Sequence, residues 1–370
     1  MSSVPHTWLF RDDFPVGMSK LRIRLTNDLL IEGGNIGYGI RPSERKKGYG
    51  SKILELTLDR ARRKGLDTVL LTCDELNIAS KKNDRKKWWE VGKTGKWTLL
   101  LLDSIIMVKD YYDRNVEREW ARLDEHWLEY EITYHHILSY CKKESKILDI
   151  GGGPGKYAFR LAKDGYSVFL ADLADENIAF AKKYQNSTGI KLSGSAVVDA
   201  RDLTSFDDNT FDIVLCLGPF YHLQSKEDRD QVISEIFRVA KTGGIIFSAF
   251  ITKYAPIYDL LRKDPSKILE WKELIHSFLE TGLHNPKPDS KGFTTAFFVD
   301  PSKIEDYFSV VNKETMCLFG CESLFTQSEK KLKVLSEEEK EEWLRLGKVL
   351  STSPMAISNS EHVVYVARKI

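Results

Sequence analysis

A glycine-rich stretch follows a predicted strand near the middle of the chain. Residues 147–155 read Ile-Leu-Asp-Ile-Gly-Gly-Gly-Pro-Gly, and Asp172 comes at the end of the next apolar run, Tyr166–Ala171. The spacing predicts a strand, a glycine-rich turn, a helix and a second strand that ends in a carboxylate. Such a unit binds a nucleoside-containing cofactor at the carboxyl ends of parallel strands.

An acid placed before the glycines indicates which cofactor the turn suits. The dinucleotide fingerprint Gly-x-Gly-x-x-Gly/Ala fits here only as Gly153-x-Gly155-x-x-Ala158, which starts late relative to the strand end. From the strand outward the pattern is Asp149-x-Gly151-x-Gly153-x-Gly155. A carboxylate in that position repels a pyrophosphate but suits the ammonium and sulfonium groups of S-adenosylmethionine. A glycine-rich turn without a ligand is the alternative interpretation.

A regular alternation of strands and helices surrounds this turn. Strands are predicted at Lys146–Ile150, Tyr166–Ala171, Gly194–Val198, Phe211–Leu217 and Gly244–Ile251. Helices are predicted between them at Lys156–Asp164, Asp175–Ser187 and Lys226–Ala240. This order implies a parallel sheet with right-handed crossovers. Flanking elements are predicted as helices at Tyr111–Lys142, Ser302–Val310 and Ser336–Leu350, and as strands at Thr315–Phe319 and Val363–Ala367.

An insertion follows the fifth strand and interrupts the alternation. Residues 254–294 contain helical stretches, aromatic side chains and prolines, and we interpret about 252–300 as a helical lid. Its aromatic residues would either line an apolar pocket for a small molecule or form the lid's own core. His276 and His284 lack metal-ligand spacing, so no metal site is predicted.

The segment from about residue 108 to 370 resembles the class I S-adenosylmethionine-dependent methyltransferases. Ile147–Gly155 resembles the family's first motif, and Arg238–Gly244 its turn into the fifth strand. The resemblance implies an α/β, Rossmann-like sheet of seven strands, mostly parallel, whose last strand is antiparallel. It implies that Asp172 binds the ribose hydroxyls and that Asp199 meets the adenine amino group. The implied cofactor-binding residues are Asp149, Gly151, Gly152, Gly153, Gly155, Asp172, Leu173, Asp199, Ala200, Leu217, Gly218 and Tyr112.

The loop beyond the fourth strand carries the residues predicted to act on the acceptor. Methyl transfer from a sulfonium mainly requires positioning and exclusion of water, and a base only if the nucleophile arrives protonated. His222 is the base predicted from its location, with Tyr221 beside it. The alternative is that His222 packs beside the cofactor or caps the next helix. The loop lacks the Asn/Asp-Pro-Pro-Tyr/Phe motif of enzymes that methylate DNA bases, which argues against that activity.

The N-terminal zone carries a second glycine-containing turn. Arg45-Lys46-Lys47-Gly48-Tyr49-Gly50 precedes a predicted helix, Lys52–Arg63. It resembles the coenzyme A loop of the GNAT superfamily of N-acetyltransferases, which binds a pyrophosphate at a helix N-terminus. The resemblance implies an acetyl-CoA site at Arg45, Gly48, Gly50 and Asn77, with Ser80 nearby.

This resemblance is partial. The family's first strand and its following helices would lie upstream of residue 1, and its closing elements are not recognisable after Ser80. A hairpin of 86–91 and 96–101 would substitute for them. Glu32 and Asp74 are weak candidates for a general base. The segment is therefore interpreted either as an acetyltransferase or as a remnant used as an accessory or dimerisation surface.

Composition sets the outer limits of the interpretation. The chain has 370 residues and a net charge of +1, so no global field favours nucleic acid or an anionic membrane. Its five cysteines include no Cys-x-x-Cys pair, and neither a secretion signal nor a membrane span is recognisable, so a cytoplasmic location is expected. We predict an acetyltransferase-like segment at 1–82, a linker or hairpin at 83–107 and a methyltransferase domain at 108–370.

The leading hypothesis is a methyltransferase that uses S-adenosylmethionine and acts on a small molecule. One alternative is a bifunctional enzyme that also transfers acetyl groups from acetyl-CoA. Another is a sensor or scaffold that binds the cofactor without turnover. An RNA-modifying enzyme is a weaker fourth hypothesis, which salt-sensitive RNA binding would favour. Neither the methyl acceptor nor the oligomeric state follows from the sequence.

Overall fold

The chain forms two compact units, Met1–Asp103 and Ser104–Ile370. The structure, a computed structural model, describes residues 6–11, 14–23, 25–26, 29, 34–63, 69, 89–91, 97–99, 104–284, 293–326 and 328–370. Of the predicted N-terminal features, the strand at 68–72 is described only at Val69. Those that lie outside the described residues are Glu32, Asp74, Asn77 and Ser80.

The described residues of the N-terminal unit form a three-stranded antiparallel sheet and one long helix, together with shorter elements. The strands are β1 (His6–Arg11), β2 (Phe14–Leu21) and β3 (Ile36–Ile40), with β2 in the middle. Helix α1 (Tyr49–Arg63) buries Leu54 and Ala61 against Leu21 and Ile36 of the sheet. Two short strands, β4 (Trp89–Val91) and β5 (Trp97–Leu99), pair antiparallel with each other.

The C-terminal unit is built on a seven-stranded sheet. Its strands are β6 (Lys146–Ile150), β7 (Ser167–Asp172), β8 (Gly194–Val197), β9 (Phe211–Cys216), β10 (Ala240–Ile251), β13 (Lys313–Gly320) and β14 (His362–Lys369). Their spatial order is β13-β14-β10-β9-β6-β7-β8. Strands β6 to β10 are parallel, and β14 is antiparallel to both of its neighbours. The predicted Rossmann-like sheet with an antiparallel last strand is confirmed.

Helices cover both faces of this sheet because its central strands are apolar on both sides. Ile147 and Leu215 face one core cluster, whereas Leu148 and Val214 face the other. The helices at the faces and edges are α2 (Ser104–Arg114), α3 (Val116–Glu125), α4 (Trp127–Tyr140), α5 (Lys156–Lys163), α6 (Asp175–Thr188), α7 (Lys226–Val239), α11 (Glu329–Leu332), α12 (Glu337–Leu350) and α13 (Pro354–Asn359).

The long helix predicted over 111–142 is three helices instead. The chain turns at Asn115, between α2 and α3, and at His126, between α3 and α4. These breaks place α3 across the sheet edge where the glycine-rich turn lies, with Leu123 packed in the same core cluster as Tyr157. The helical pattern in the sequence does not reveal where the helix breaks, because the packing of the helices determines those positions.

The segment after β10 contains the predicted helical stretches. It comprises α8 (Ala255–Lys263), α9 (Lys272–Thr281), β11 (Leu283–His284), β12 (Ala296–Phe297) and α10 (Ile304–Tyr307). Phe278 and Phe298 meet edge to face in a cluster of their own, so much of this segment's aromatic content is internal packing. Among the described residues, no helix combines the length and apolar character needed to cross a membrane.

Candidate active site

The glycine-rich turn closes the carboxyl end of β6 against the loop after β9. The N–H groups of Gly151 and Gly152 donate to the carbonyl oxygen of Ala171, at 2.8 and 3.3 Å. Gly151 has φ of 66°, and a Cβ there would lie 2.5 Å from Cδ of Pro219. Only glycine permits both the left-handed backbone and this close approach. The turn and the loop after β9 (residues 217–225, called the post-β9 loop) therefore form two adjoining walls of one cleft.

Asp172, at the end of β7, fixes the shape of the turn. One carboxylate oxygen accepts from the N–H of Gly153 at 2.8 Å, and the other accepts from the N–H of Ala174 and from Nδ2 of Asn177. The side chain is buried, and burial raises its pKa. The oxygen that accepts only from Gly153 has a further lone pair, so Asp172 retains acceptor capacity toward the cleft.

Asp149 lies beneath the turn as a fully buried carboxylate. Neither of its oxygens has a hydrogen-bond partner of ordinary length and angle among the described residues, although the backbone N–H of Ala158 lies near enough to favour the charged form. Burial, with the nearby charge of Asp172, raises the pKa of Asp149 to about 7. Burying a charged carboxylate without a partner lowers the stability of the fold, and a cation bound in the adjoining cleft would offset that cost.

The cleft above the turn collects most of the residues predicted for the cofactor. Its lining includes Asp149, Gly151, Gly152, Gly153, Asp172, Leu173, Asp199, Ala200, Leu217, Gly218 and Tyr112, together with Tyr221 and His222. Gly155, the remaining member of the predicted set, has φ of 95° and precedes the first residue of α5. It shapes the entry into that helix instead of lining the cleft.

Asp199 lies in the loop after β8 and lines the cleft. Its carboxylate accepts from the side chain of Arg201, with an Nη2–Oδ2 distance of 2.7 Å, and Arg201 also reaches Asp228. These pairs fix the loop after β8 and leave the Asp199 carboxylate half-buried at the cleft wall.

His222 is held at both ring nitrogens. Nδ1 lies 3.0 Å from the carbonyl oxygen of Thr295, and Nε2 lies 2.9 Å from the phenol oxygen of Tyr112. A carbonyl only accepts, so Nδ1 carries the hydrogen and Nε2 accepts from the Tyr112 hydroxyl. Burial lowers the pKa of His222 to about 4, which keeps the ring neutral at pH 7.

Helix α3 supplies cleft residues that the motif-based prediction missed. Glu119, Arg122 and Leu123 line the cleft at successive i, i+3 and i+4 positions, and Lys156 and Tyr157 join them from α5. The spacing of Glu119, Arg122 and Leu123 places them on one face of α3, but the sequence alone does not indicate that this face lines a cofactor site. Arg122 forms a two-point ion pair with buried Glu129, at 2.8 and 3.0 Å.

A buried acidic cluster lies behind Arg122. Glu129, Glu322 and His362 bring their ligand atoms within 4.8 Å of one another, an arrangement that could hold a metal ion. However, Nδ1 of His362 is 2.5 Å from Glu322, and Arg122 already pairs with Glu129. These carboxylates raise the pKa of His362 to about 9, so the imidazolium and the guanidinium already neutralise the cluster.

The second glycine-containing turn, in the N-terminal unit, is exposed. Lys46 and Gly48 both have positive φ, 64° and 83°, immediately before α1. Nε of Arg45 donates to the carbonyl oxygen of Ile40, and Lys47 pairs with Glu44 at 3.1 Å. Asn77, the fourth residue predicted for this site, lies outside the described residues.

Comparison with known proteins identifies both segments. A family model described as a methyltransferase domain matches residues 148–248, and one for the acetyltransferase (GNAT) family matches residues 4–82. The predicted resemblances are confirmed.

Three curated relatives are similar to the C-terminal part. The ubiquinone/menaquinone biosynthesis C-methyltransferase UbiE of Pasteurella multocida is 30% identical over 125 residues, 33% of this chain and 45% of that protein. The glycine/sarcosine N-methyltransferase of Aphanothece halophytica is 33% identical over 103 residues, 27% of this chain and 38% of that protein. The ubiquinone biosynthesis O-methyltransferase of Rickettsia conorii is 26% identical over 196 residues, 46% of this chain and 63% of that protein. The matches therefore span less than two thirds of these relatives' length.

Proposed function

Because the chain carries a domain of the S-adenosylmethionine-dependent methyltransferase type, we propose that it transfers a methyl group from S-adenosylmethionine to a small-molecule acceptor. The observation that carries this proposal is Asp149. A buried carboxylate without a hydrogen-bond partner lies below a glycine-rich turn, where a pyrophosphate would be repelled and a cationic cofactor would be held.

The cleft residues fit the parts of this cofactor. Asp172 would accept from the ribose hydroxyls, and Asp199 with the backbone of Ala200 would meet the adenine ring. The main chain of Gly151–Gly153 allows close approach of the methionine portion, with Asp149 offsetting its ammonium charge. Leu173 and Leu217 supply apolar walls.

The bound cofactor supplies an activated methyl group, so the chain's own task is to position the acceptor and exclude water. Tyr221 and His222 lie in the post-β9 loop that lines the cleft. We assign both to the acceptor side of the site. His222 acts through Tyr112. Its Nε2 accepts a hydrogen bond from the Tyr112 hydroxyl and so fixes the orientation of that phenol.

The relatives do not select the attacking atom. They include a carbon, a nitrogen and an oxygen methyltransferase by name. The acceptor must therefore be inferred from this chain's own residues.

Calorimetric titration of the full chain with S-adenosylmethionine tests the proposal. We expect a single saturable site and tighter binding of the product, S-adenosylhomocysteine, than of adenosine alone, since adenosine lacks the amino-acid portion. Absence of binding would refute the assignment. Binding followed by no methyl transfer into any pool of small metabolites would favour the alternative of a sensor or scaffold.

A second candidate function is acetyl transfer by the N-terminal unit. It is favoured by one observation, the left-handed backbone at Lys46 and Gly48 where α1 begins, which turns successive N–H groups toward an anion. Titration with acetyl-CoA tests it. Binding that Gly48→Val abolishes would support a bifunctional enzyme, whereas no binding would leave the segment an accessory one.

A further inference from the structure

A second cavity adjoins the cofactor cleft within the C-terminal unit. It encloses about 330 Å³, enough for a small organic molecule, and shares four wall residues with the cleft: Tyr112, Glu119, Arg122 and Tyr221. Because it opens beside the post-β9 loop, it is the place from which an acceptor would reach the reacting end of the cofactor. We call it the acceptor cavity.

Aromatic rings form one side of the acceptor cavity. Tyr111 meets Tyr112 edge to face with centroids 5.2 Å apart, and it meets Phe293 edge to face at 5.9 Å. Tyr221 lies 6.5 Å from Phe293 and completes the group. A cation that lay over the face of one of these rings would be attracted by its π electrons.

The charged groups of the cavity leave one carboxylate without a cation of its own. Those that face it are Arg118, Glu119, Arg122, Glu125, His126 and His362. Arg122, His126 and His362 are matched by ion pairs with Glu129, Glu329 and Glu322, and the exposed pair Arg118 and Glu125 have opposite signs.

Glu119 is the carboxylate that remains. Its side chain is only 14% exposed, and its nearest cation is Nε of Arg122 at 3.6 Å, beyond hydrogen-bond distance. The described residues provide no hydrogen bond to this carboxylate. Burial raises the pKa of Glu119 above its ordinary value. Glu119 therefore shares its nearest cation with Glu129 and keeps acceptor capacity that no hydrogen bond uses.

Tyr112 adds a second acceptor. Its hydroxyl proton is committed to Nε2 of His222, because Nδ1 of that ring donates to Thr295. The Tyr112 oxygen therefore has no proton to offer the cavity, and it shares its acceptor capacity with the neighbouring Tyr221 hydroxyl. Such an atom accepts from an N–H group and has nothing to donate to a carbonyl or carboxylate.

We propose that the methyl acceptor is a small amine, which enters the acceptor cavity as an ammonium held by Glu119, the Tyr112 oxygen and the surrounding aromatic rings. This inference rests on the proposed methyltransferase function and deepens it. A carboxylate without a hydrogen bond, a hydroxyl oxygen that accepts and a group of aromatic rings each favour a cationic nitrogen over an alcohol or a carboxylate.

The assignment also gives Glu119 a part in proton transfer. The ammonium gives one proton to the Glu119 carboxylate, which exposes the nitrogen lone pair. That lone pair forms the new bond to the methyl carbon, while the carbon–sulfur bond breaks and its electron pair stays on sulfur. The raised pKa of Glu119 suits an acid that must hold this proton.

A matched pair of probes tests the proposal. The full chain is saturated with S-adenosylhomocysteine and titrated with 2-phenylethylamine and with 2-phenylethanol, which differ only in the amine and hydroxyl groups. We expect the amine to bind at least about tenfold more tightly, the range of a desolvated cation–π contact joined to a charge-assisted hydrogen bond. In Glu119→Gln this preference should fall below about threefold, whereas Glu125→Gln, altered at an exposed glutamate of the same cavity, should retain it.

The outcomes separate this proposal from the function on which it rests. If the wild-type chain fails to bind S-adenosylhomocysteine, the methyltransferase assignment itself fails. If it binds the product but prefers the alcohol, shows no preference, or binds neither probe, the amine proposal is overturned alone. A large loss of S-adenosylhomocysteine affinity in Glu119→Gln would instead make Glu119 a cofactor residue and would also overturn the proposal.

Discussion

The two glycine-containing turns of this chain share a local backbone device but differ in the charge of the side chains around them. Each turn follows a strand, contains left-handed glycine and precedes a helix, at Gly151–Gly155 and at Arg45–Gly50. The first has buried acids beneath it, Asp149 and Asp172, whereas the second is surrounded by exposed basic side chains. A helix N-terminus alone favours anions, so the side chains around the turn decide the charge of the ligand.

The turns also differ in how they are supported. The first is packed against the post-β9 loop, where Gly218 lies so close to Gly151 that a Cβ would be 2.6 Å from the Gly151 carbonyl oxygen. Around Gly48, by contrast, an added Cβ would meet no atom within 4 Å. The packed turn forms one wall of the cleft, whereas the turn at Gly48 has open space beside it.

The largest expected effect tests whether the first turn faces the cofactor. Gly153 has φ of 59°, and a Cβ there would approach only Asn177, at 4.0 Å. Gly153→Val should therefore strain the turn and block close approach of the methionine portion, weakening S-adenosylmethionine binding by more than about 100-fold. Calorimetry measures the affinity. Gly165→Val, at a left-handed glycine outside the cleft, is the matched control, and equal loss in both variants would mean that strain alone explains the result.

A smaller loss is expected at the acid that ends β7. Asp172→Ala removes the acceptors for the ribose hydroxyls and releases the N–H of Gly153, so affinity should fall by about 10- to 100-fold. Asp175→Ala removes an exposed acid three residues along and should leave affinity unchanged. An unaltered dissociation constant in Asp172→Ala would contradict the assignment of the cleft.

The pH dependence of binding tests the acid beneath the turn. The pKa of Asp149 is about 7 in the unliganded chain, and a bound cation would lower it. Affinity should therefore be full above pH 7 and should decrease as pH falls below 7, by about tenfold between pH 8 and pH 6. In Asp149→Asn the part of this slope that belongs to Asp149 should vanish, which separates it from titration of the ligand. The same slope in both proteins would show that another group is responsible.

The smallest expected effect concerns the second turn. Gly48→Val forces a branched side chain into a left-handed backbone, but it lies in the other compact unit. S-adenosylmethionine affinity should change by less than about twofold, while any acetyl-CoA binding should be lost. A large change in methionine-cofactor affinity would show that the two units are coupled and that the turns are not independent.

The sequence by itself determined the C-terminal sheet and supplied the motifs on which the proposed cofactor site rests. Strand β6 has the predicted bounds, Lys146–Ile150, and the other parallel strands lie within a few residues of the predictions. Their apolar runs, the glycine spacing and the acids at strand ends are local patterns. Parallel topology then brings the carboxyl ends of β6, β7, β8 and β9 to one edge without further information.

Only the tertiary structure brings together the residues of the proposed acceptor cavity. Glu119 belongs to α3, a helix that the sequence pattern merged with its neighbours. It lines the same cavity as Phe293, which lies more than 170 residues later in the chain. The hydrogen bonds that make Tyr112 an acceptor join α2, the post-β9 loop and Thr295. Contacts of this kind depend on how helices cross and where they break, which packing settles and local periodicity does not encode.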